Sequence, residues 1–198
     1  MSEELLLPKN PVEAFQEWMN AAIEAQCIEP TAMTLATASK NGVPSARIVL
    51  FKGLKGDSFK FFTNYTSPKA QDLIENPQAV LVFYWAPLKR QIRIFGKVQK
   101  LSDSESREYF QSRARGSQIG AWASPQSKAV LNRAELEKLV DENEKKFAGK
   151  IVPLPDFWGG FLLQPETFEF WEGRDFRIHE RFIFKKTDGQ WSLLRLAP

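Results

Sequence analysis

Apolar residues first recur at helical spacing. Phe15, Trp18, Met19, Ala22 and Ile23 share one stripe of a helix that the pattern predicts over about residues 11–28. Asn10 as N-cap, Pro11 in the first turn and Glu13 as the capping-box acid mark its start. From Thr31 the period shortens to two. Met33, Leu35 and Thr37 alternate with small or polar neighbours, a turn follows at Lys40-Asn41-Gly42, and Ser45 to Phe51 makes the second arm of a hairpin. A turn near Lys55-Gly56-Asp57 leads to a strand from Ser58 to Thr63, after which Ser67-Pro68-Lys69 opens a short helix over about residues 68–76. Ala79 to Trp85 is a continuous apolar run, the signature of a strand buried on both faces. Gln91 to Lys100 alternates, with Ile92, Ile94 and Val98 opposite Gln91, Arg93, Phe95 and Lys97.

Ser102 and Glu105 form a capping box for a helix over about residues 103–113, and Ser124-Pro125 opens another over about 125–148. The remainder returns to short strands, Trp158 to Leu163, Thr167 to Trp171, Arg177 to Lys185 and Trp191 to Leu196, separated by Pro, Gly or Asp. About eight strands with helices between them predict a single domain over residues 1–198, mainly β and folded as an antiparallel barrel, because closure protects many edges. Strands mostly follow strands and no Gly-rich fingerprint opens a helix, which disfavours a doubly wound nucleotide fold.

Composition narrows this only in places. The 16 Phe and 6 Trp either fill a β-rich core or line a pocket for a planar ligand, and composition leaves both uses open. A net charge of +3 with dispersed basic residues argues against nucleic acid as a partner and leaves small anions. The lone Cys27 excludes an intrachain disulfide and fits a reducing, cytoplasmic location. The opening MSEELLLPKN lacks the basic region and apolar core of a signal peptide, and no stretch approaches the ~20 apolar residues of a membrane helix.

The chain contains no HExxH, CxxC, P-loop or GxSxG pattern, and His179 and Cys27 leave too little material for a metal site or a hydrolytic triad. Difficult chemistry would have to come from an organic cofactor. On a strand through Arg177 to Arg181, alternation puts Arg177, His179 and Arg181 on one face, either around an anion or ring, or simply in solvent beside Glu180. Arg47 to Lys52 is a strand with a basic residue at each end. Ser67-Pro68-Lys69 combines a helix N-terminus with a lysine, physically a phosphate site, although most helix starts bind nothing. Tyr109 to Trp122 carries hydroxyl, guanidinium and aromatic groups in and after a helix end; the Arg and Ser donors suit phosphate oxygens, although by themselves they more often make an ordinary polar terminus.

Taken together, RIVLFK from Arg47, FFTNYTSPKA from Phe61, RQIRIFGKV from Arg90, YFQSRARGSQIGAWASPQS from Tyr109, VPLPDFWGGF from Val152, FEFWEGRDFRIHERF from Phe168 and the terminal RLAP resemble the pyridoxine 5'-phosphate oxidase family. The segments run in order from roughly Asn10 to Pro198. The resemblance implies an antiparallel split β-barrel homodimer with FMN at the subunit interface. It implies oxidation of pyridoxine or pyridoxamine 5'-phosphate to pyridoxal 5'-phosphate, with molecular oxygen taking the electrons. The implied flavin site is Arg47, Ile48, Val49, Leu50, Lys52, Phe62, Thr63, Lys69, Gln91, Gln126, Ser127, Trp171 and Arg181. The implied substrate site is Lys52, Tyr109, Arg113, Ser117, Arg177 and His179, with Arg177 and His179 beside the reacting carbon.

Some positions depart from the family pattern. Pro68 stands where an arginine commonly precedes the lysine, removing one flavin-phosphate contact, and Phe62 stands where tyrosine is common. The short N-terminus lacks the basic and tyrosine residues that can close over substrate. Two other readings remain: a flavin- or pyridoxal-phosphate-binding split barrel without oxidase activity, and a related flavin oxidase acting on another aromatic ring. Intact Arg177 and His179 weigh against the first, and the phosphate-type residues Lys52, Tyr109, Arg113 and Ser117 weigh against the second.

Overall fold

A computed structural model describes residues 7–198, so the expectations for the extreme N-terminus fall largely outside the described residues. In chain order the elements are α1 (Pro11–Glu24), β1 (Ala32–Ala38), β2 (Pro44–Leu50), β3 (Leu54–Lys55), β4 (Ser58–Asn64), α2 (Pro68–Glu75), β5 (Gln78–Trp85) and β6 (Arg90–Lys100). They continue with α3 (Asp103–Ser112), α4 (Arg115–Ala123), α5 (Arg133–Phe147), β7 (Trp158–Glu172), β8 (Glu180–Thr187) and β9 (Gln190–Arg195). The strands form one antiparallel sheet in the order β2-β1-β5-β6-β7-β4-β3, with β8 on β7 and β9 on β8. Strand β2 folds back against β4, and the Lys52 N–H donates to the Lys60 carbonyl (2.9 Å), which brings the ends of the barrel together.

The split originates in β7. Its first half, from Trp158 to Leu163, pairs with β4, whereas its second half, from Thr167 to Glu172, pairs with β8; β6 runs along both. The sequence pattern reads this segment as two strands separated by Gln164-Pro165. It is one strand because the register shifts between Phe95 and Gly96, opposite Pro165, so the missing proline N–H falls at a bulge. Gly96 makes the close approach possible, since a Cβ there would collide with the Gln164 carbonyl.

The phenylalanines mostly fill the barrel. Phe59, Phe61, Phe83, Phe168, Phe170 and Phe184 are buried on strand interiors, and α1 plugs the open end with Phe15, whose ring meets that of Phe59 edge-on at 4.8 Å. Trp18 packs edge-on against Phe170 at 5.2 Å, with the Arg90 guanidinium 4.6 Å above its ring. Helix α1 is shorter than the apolar spacing predicts. It ends at Glu24, where Gln26 turns left-handed (φ 52°) and the Cys27 N–H reaches back to the Ala22 carbonyl (3.0 Å). Ile23 therefore sits at the edge of the stripe, more than half exposed. Strand β5 is also not buried on both faces: Ala79, Leu81, Phe83 and Trp85 point inward, and Tyr84 is 60% exposed.

The largest correction concerns residues 114–132. Ser124-Pro125 starts no helix; Gln126 and Lys128 instead donate to the Ser124 and Pro125 carbonyls in a tight turn. Helix α5 begins at Arg133, where the Asn132 side chain accepts from the Glu135 N–H. The separate helix α4 is unmarked by a capping side chain, which is why its start is invisible to pattern reading. Arg115 at its beginning donates to the Phe147 (2.8 Å) and Lys150 (3.0 Å) carbonyls, tying α4 to the end of α5. Phe110, Ile119, Phe147, Val152 and Trp158 form a second core beneath these helices, outside the barrel.

Candidate active site

A cleft of about 530 Å³ lies where β2, β4, α2 and the α3–α4 junction meet, a size ordinary for a small-molecule site. Arg47 to Leu50 and Lys52 come from β2 and the loop after it, Phe62 and Thr63 from β4, Lys69 from the first turn of α2, and Gln126 from the tight turn. Tyr109 enters from α3, Arg113 from the junction after it and Ser117 from α4. Sequence reading proposed every one of these residues. It missed Ala114 and Trp158, which also line the cleft; Trp158 is the large ring beside the Gly159-Gly160 pair.

One part of the cleft is a cationic cradle. The Lys69 ammonium lies 3.1 Å from Gln126 Oε1 and 3.4 Å from both Thr63 Oγ1 and Ser67 Oγ. Burial lowers its pKa, and the charge of Arg47 lowers it further. Arg47, whose own pKa is lowered by burial, donates to the Leu35 carbonyl (3.2 Å) and to Thr37 Oγ1 (2.8 Å). Two partly desolvated cations that repel one another favour an anion between them.

The other part is aromatic. Phe62 stacks on Tyr109 (ring centres 3.9 Å apart, planes 19° apart) and lies nearly parallel to Trp158 (5.5 Å, 12°). The Arg113 guanidinium carbon sits 4.8 Å from the centre of the Trp158 ring, and its buried Nη1 lacks a hydrogen-bond partner. An orphaned guanidinium nitrogen in a cleft fits a bound anion, since a buried donor left unpaired is costly.

The remaining proposed residues lie elsewhere on the single chain. Gln91 pairs with Trp171 across β6 and β7, and Trp171 pairs with Arg181 across β7 and β8. The Trp171 and His179 rings are 4.7 Å apart, and His179 Nδ1 accepts from the Arg174 N–H at 3.1 Å. Arg181 is held by Glu169 (2.9 Å) and by the Ala197 carbonyl (2.8 Å). Ser127, left-handed at φ 66°, is exposed on the turn.

The expected alternation of Arg177, His179 and Arg181 on one strand does not occur. Strand β8 begins only at Glu180, and a helical turn spans Asp175–Arg177, with Phe176 (φ 57°) and Arg177 (φ 63°) both left-handed. The Ile178 N–H bonds back to the Asp175 carbonyl, so a local turn displaces the ladder. Two successive non-glycine residues at positive φ store strain of the kind found at functional loops. Among the described residues no cluster of His, Cys, Asp and Glu could hold a metal ion, and no helix is long and apolar enough to cross a membrane.

Fold and site thus define a split-barrel protein whose cleft sets partly desolvated cations beside a stack of aromatic rings. The family described as "Pyridoxamine 5'-phosphate oxidase" matches residues 19–146, and that described as "Pyridoxine 5'-phosphate oxidase C-terminal dimerisation region" matches residues 158–198. The chain belongs to the pyridoxamine 5'-phosphate oxidase family. A pyridoxine/pyridoxamine 5'-phosphate oxidase of Acaryochloris marina is 49% identical over 189 residues, covering 96% of this chain and 86% of the relative. The structure of PhzG from Burkholderia lata 383, in complex with tetrahydrophenazine-1-carboxylic acid, superposes with a TM-score of 0.91 at 29% identity over the whole of both chains. A pyridoxamine 5'-phosphate oxidase-related, FMN-binding protein from Nostoc punctiforme shares the fold (TM-score 0.73, 21% identity, 93% of this chain and 97% of that one).

Proposed function

We propose that this protein is an FMN-dependent oxidase that converts pyridoxine 5'-phosphate, pyridoxamine 5'-phosphate or both to pyridoxal 5'-phosphate, with molecular oxygen as acceptor. The observation that carries this reading is the division of one cleft into two anion sites. Arg47 and Lys69 mark one, and Arg113 with its orphaned nitrogen marks the other, beside the aromatic stack. A phosphorylated cofactor and a phosphorylated substrate need two such sites.

In this reading Arg47 to Leu50, Lys52, Phe62, Thr63, Lys69 and Gln126 hold FMN, with Arg47 and Lys69 toward its phosphate. When bound, FMN supplies the hydride acceptor and passes the electrons to oxygen. Lys52, Tyr109, Arg113 and Ser117 anchor the substrate phosphate through charge-assisted hydrogen bonds, which fixes the reacting carbon. The second group, Gln91, Trp171, Arg177, His179 and Arg181, completes the cleft of the partner protomer in a homodimer, and Ser127 adds a flavin contact. The match of residues 158–198 to a dimerisation region, which includes Trp171, Arg177, His179 and Arg181, supports that arrangement. With Nδ1 accepting from the Arg174 N–H, the neutral His179 ring carries its proton on Nε2 and presents a hydrogen-bond donor there, suited to orient the substrate.

The likeness to PhzG raises a different aromatic substrate; Lys52, Arg113, Tyr109 and Ser117 together in the cleft favour a phosphorylated one. The decisive experiment is an anaerobic visible spectrum of the FMN-loaded protein before and after pyridoxine 5'-phosphate is added. Bleaching that reverses in air, with an aldehyde formed, establishes the oxidase. A stable spectrum with flavin bound removes this substrate, and failure to bind FMN removes the reading altogether.

A further inference from the structure

Arg47 does not meet the cleft as a lone side chain. Its Nη1 donates to Thr37 Oγ1 at 2.8 Å, and the Thr37 hydroxyl donates to Asp72 Oδ2 at 2.6 Å. The direction of this chain is forced, because a guanidinium can only donate and a carboxylate can only accept. The single hydroxyl proton of Thr37 therefore goes to Asp72, and its lone pair faces Arg47. Thr37 is only 4% exposed, so little water competes for either bond.

The frame around the relay is rigid. Thr37 lies on β1 directly opposite Ser45 of β2, whose hydroxyl accepts from Arg47 Nη2, while the Leu35 carbonyl accepts from Nη1. Asp72 lies on α2 one turn beyond Lys69, and Asn76 at the end of that helix donates to the Ala38 carbonyl (3.2 Å), tying α2 alongside β1. One helix thus carries both the second cation of the cradle and the carboxylate that orients the first.

We infer that Thr37 and Asp72 are positioning residues that hold the Arg47 guanidinium toward the phosphate of the flavin; this rests on the flavin reading of the cleft. The structure opposes two effects of Asp72. Its negative charge lies near an anion site and weakens binding by Coulomb repulsion, whereas its hydrogen bond fixes the arginine and strengthens binding. Positioning dominates because the carboxylate reaches Arg47 through a buried hydroxyl at two short distances. The sign of a mutational effect therefore distinguishes the two.

The test titrates the apoprotein with FMN and with riboflavin, which keeps the ring and ribityl chain and lacks the phosphate. Flavin fluorescence reads binding, and thermal denaturation of each apoprotein checks folding. Thr37→Val weakens FMN roughly tenfold and leaves riboflavin unchanged. Thr37→Ser, which restores the hydroxyl, recovers the affinity, as does Asp72→Asn, which keeps an acceptor. Asp72→Ala weakens FMN although it removes a negative charge. Parallel losses for FMN and riboflavin reduce Thr37 to a structural residue, and tighter or unchanged FMN binding by Asp72→Ala overturns the relay. A wild-type protein that binds no FMN removes the flavin reading and this role with it, whereas normal wild-type binding with unaffected variants removes the relay alone.

Discussion

The guanidinium of Arg113 lies over the indole of Trp158, 4.8 Å from the ring centre, and the indole is itself nearly parallel to Phe62. The aromatic stack thus gives a half-buried cation a face to rest on while its buried Nη1 lacks a hydrogen-bond partner. Replacing Arg113 with Met should raise KM for the phosphorylated substrate by about 10- to 100-fold and leave FMN affinity unchanged. Steady-state kinetics beside a flavin titration make the comparison, and an unaltered KM takes Arg113 out of the phosphate site.

Arg177 and His179 lie on a strained turn away from the cleft of their own chain. If they serve the reacting carbon of the partner's cleft, His179→Asn should lower kcat by on the order of a hundredfold while flavin content is retained. Arg177→Met should act in the same sense. Loss of bound flavin in step with activity would show that these residues hold the cofactor instead.

If Lys69 binds the flavin phosphate it must keep its proton, and both burial and Arg47 lower its pKa below the ordinary 10.5. Phosphate binding favours the charged form, so FMN affinity is full below the lowered pKa and declines as pH rises through it, beginning before 10.5. Lys69→Arg should push the alkaline decline to higher pH, because a guanidinium stays charged. Fluorescence titrations across the alkaline range check this, and the same profile for both proteins would assign the decline to another group.

Gly96 faces the Gln164 carbonyl at the bulge where β7 changes partners. A methyl group there forces the backbones apart, so Gly96→Ala should cost roughly 3 kcal/mol and lower Tm by about 10 °C. Thermal denaturation measures it. An unchanged Tm would mean that the bulge can relax without loss.

Much of this protein was legible before any coordinates. Asn10, Ser102 and Glu105 announce their helices because capping is local chemistry, written within four residues of chain. Strands β1 and β6 are visible because a half-buried strand alternates. The residues of the cleft were legible for a different reason: whole segments resemble one family, and Arg47, Lys69, Tyr109 and Arg113 all lie within them.

What only tertiary structure decided are relations between distant segments. Helix α4 has no capping side chain and is held by Arg115 on the end of α5, a contact that local pattern cannot encode. The continuity of β7 through Pro165 depends on Gly96 across the sheet, and the turn at Phe176-Arg177 breaks an alternation that the sequence invites. The Arg47–Thr37–Asp72 relay joins three elements, and nothing within any one segment links Arg47 to Thr37 or Asp72. Sequence by itself determined most of the elements, the candidate residues and the family, because periodicity, capping and motif are properties of contiguous chain. Folding decided which of those residues share a cleft and which lie outside it, because hydrogen bonds, ring stacking and desolvation act between neighbours in space.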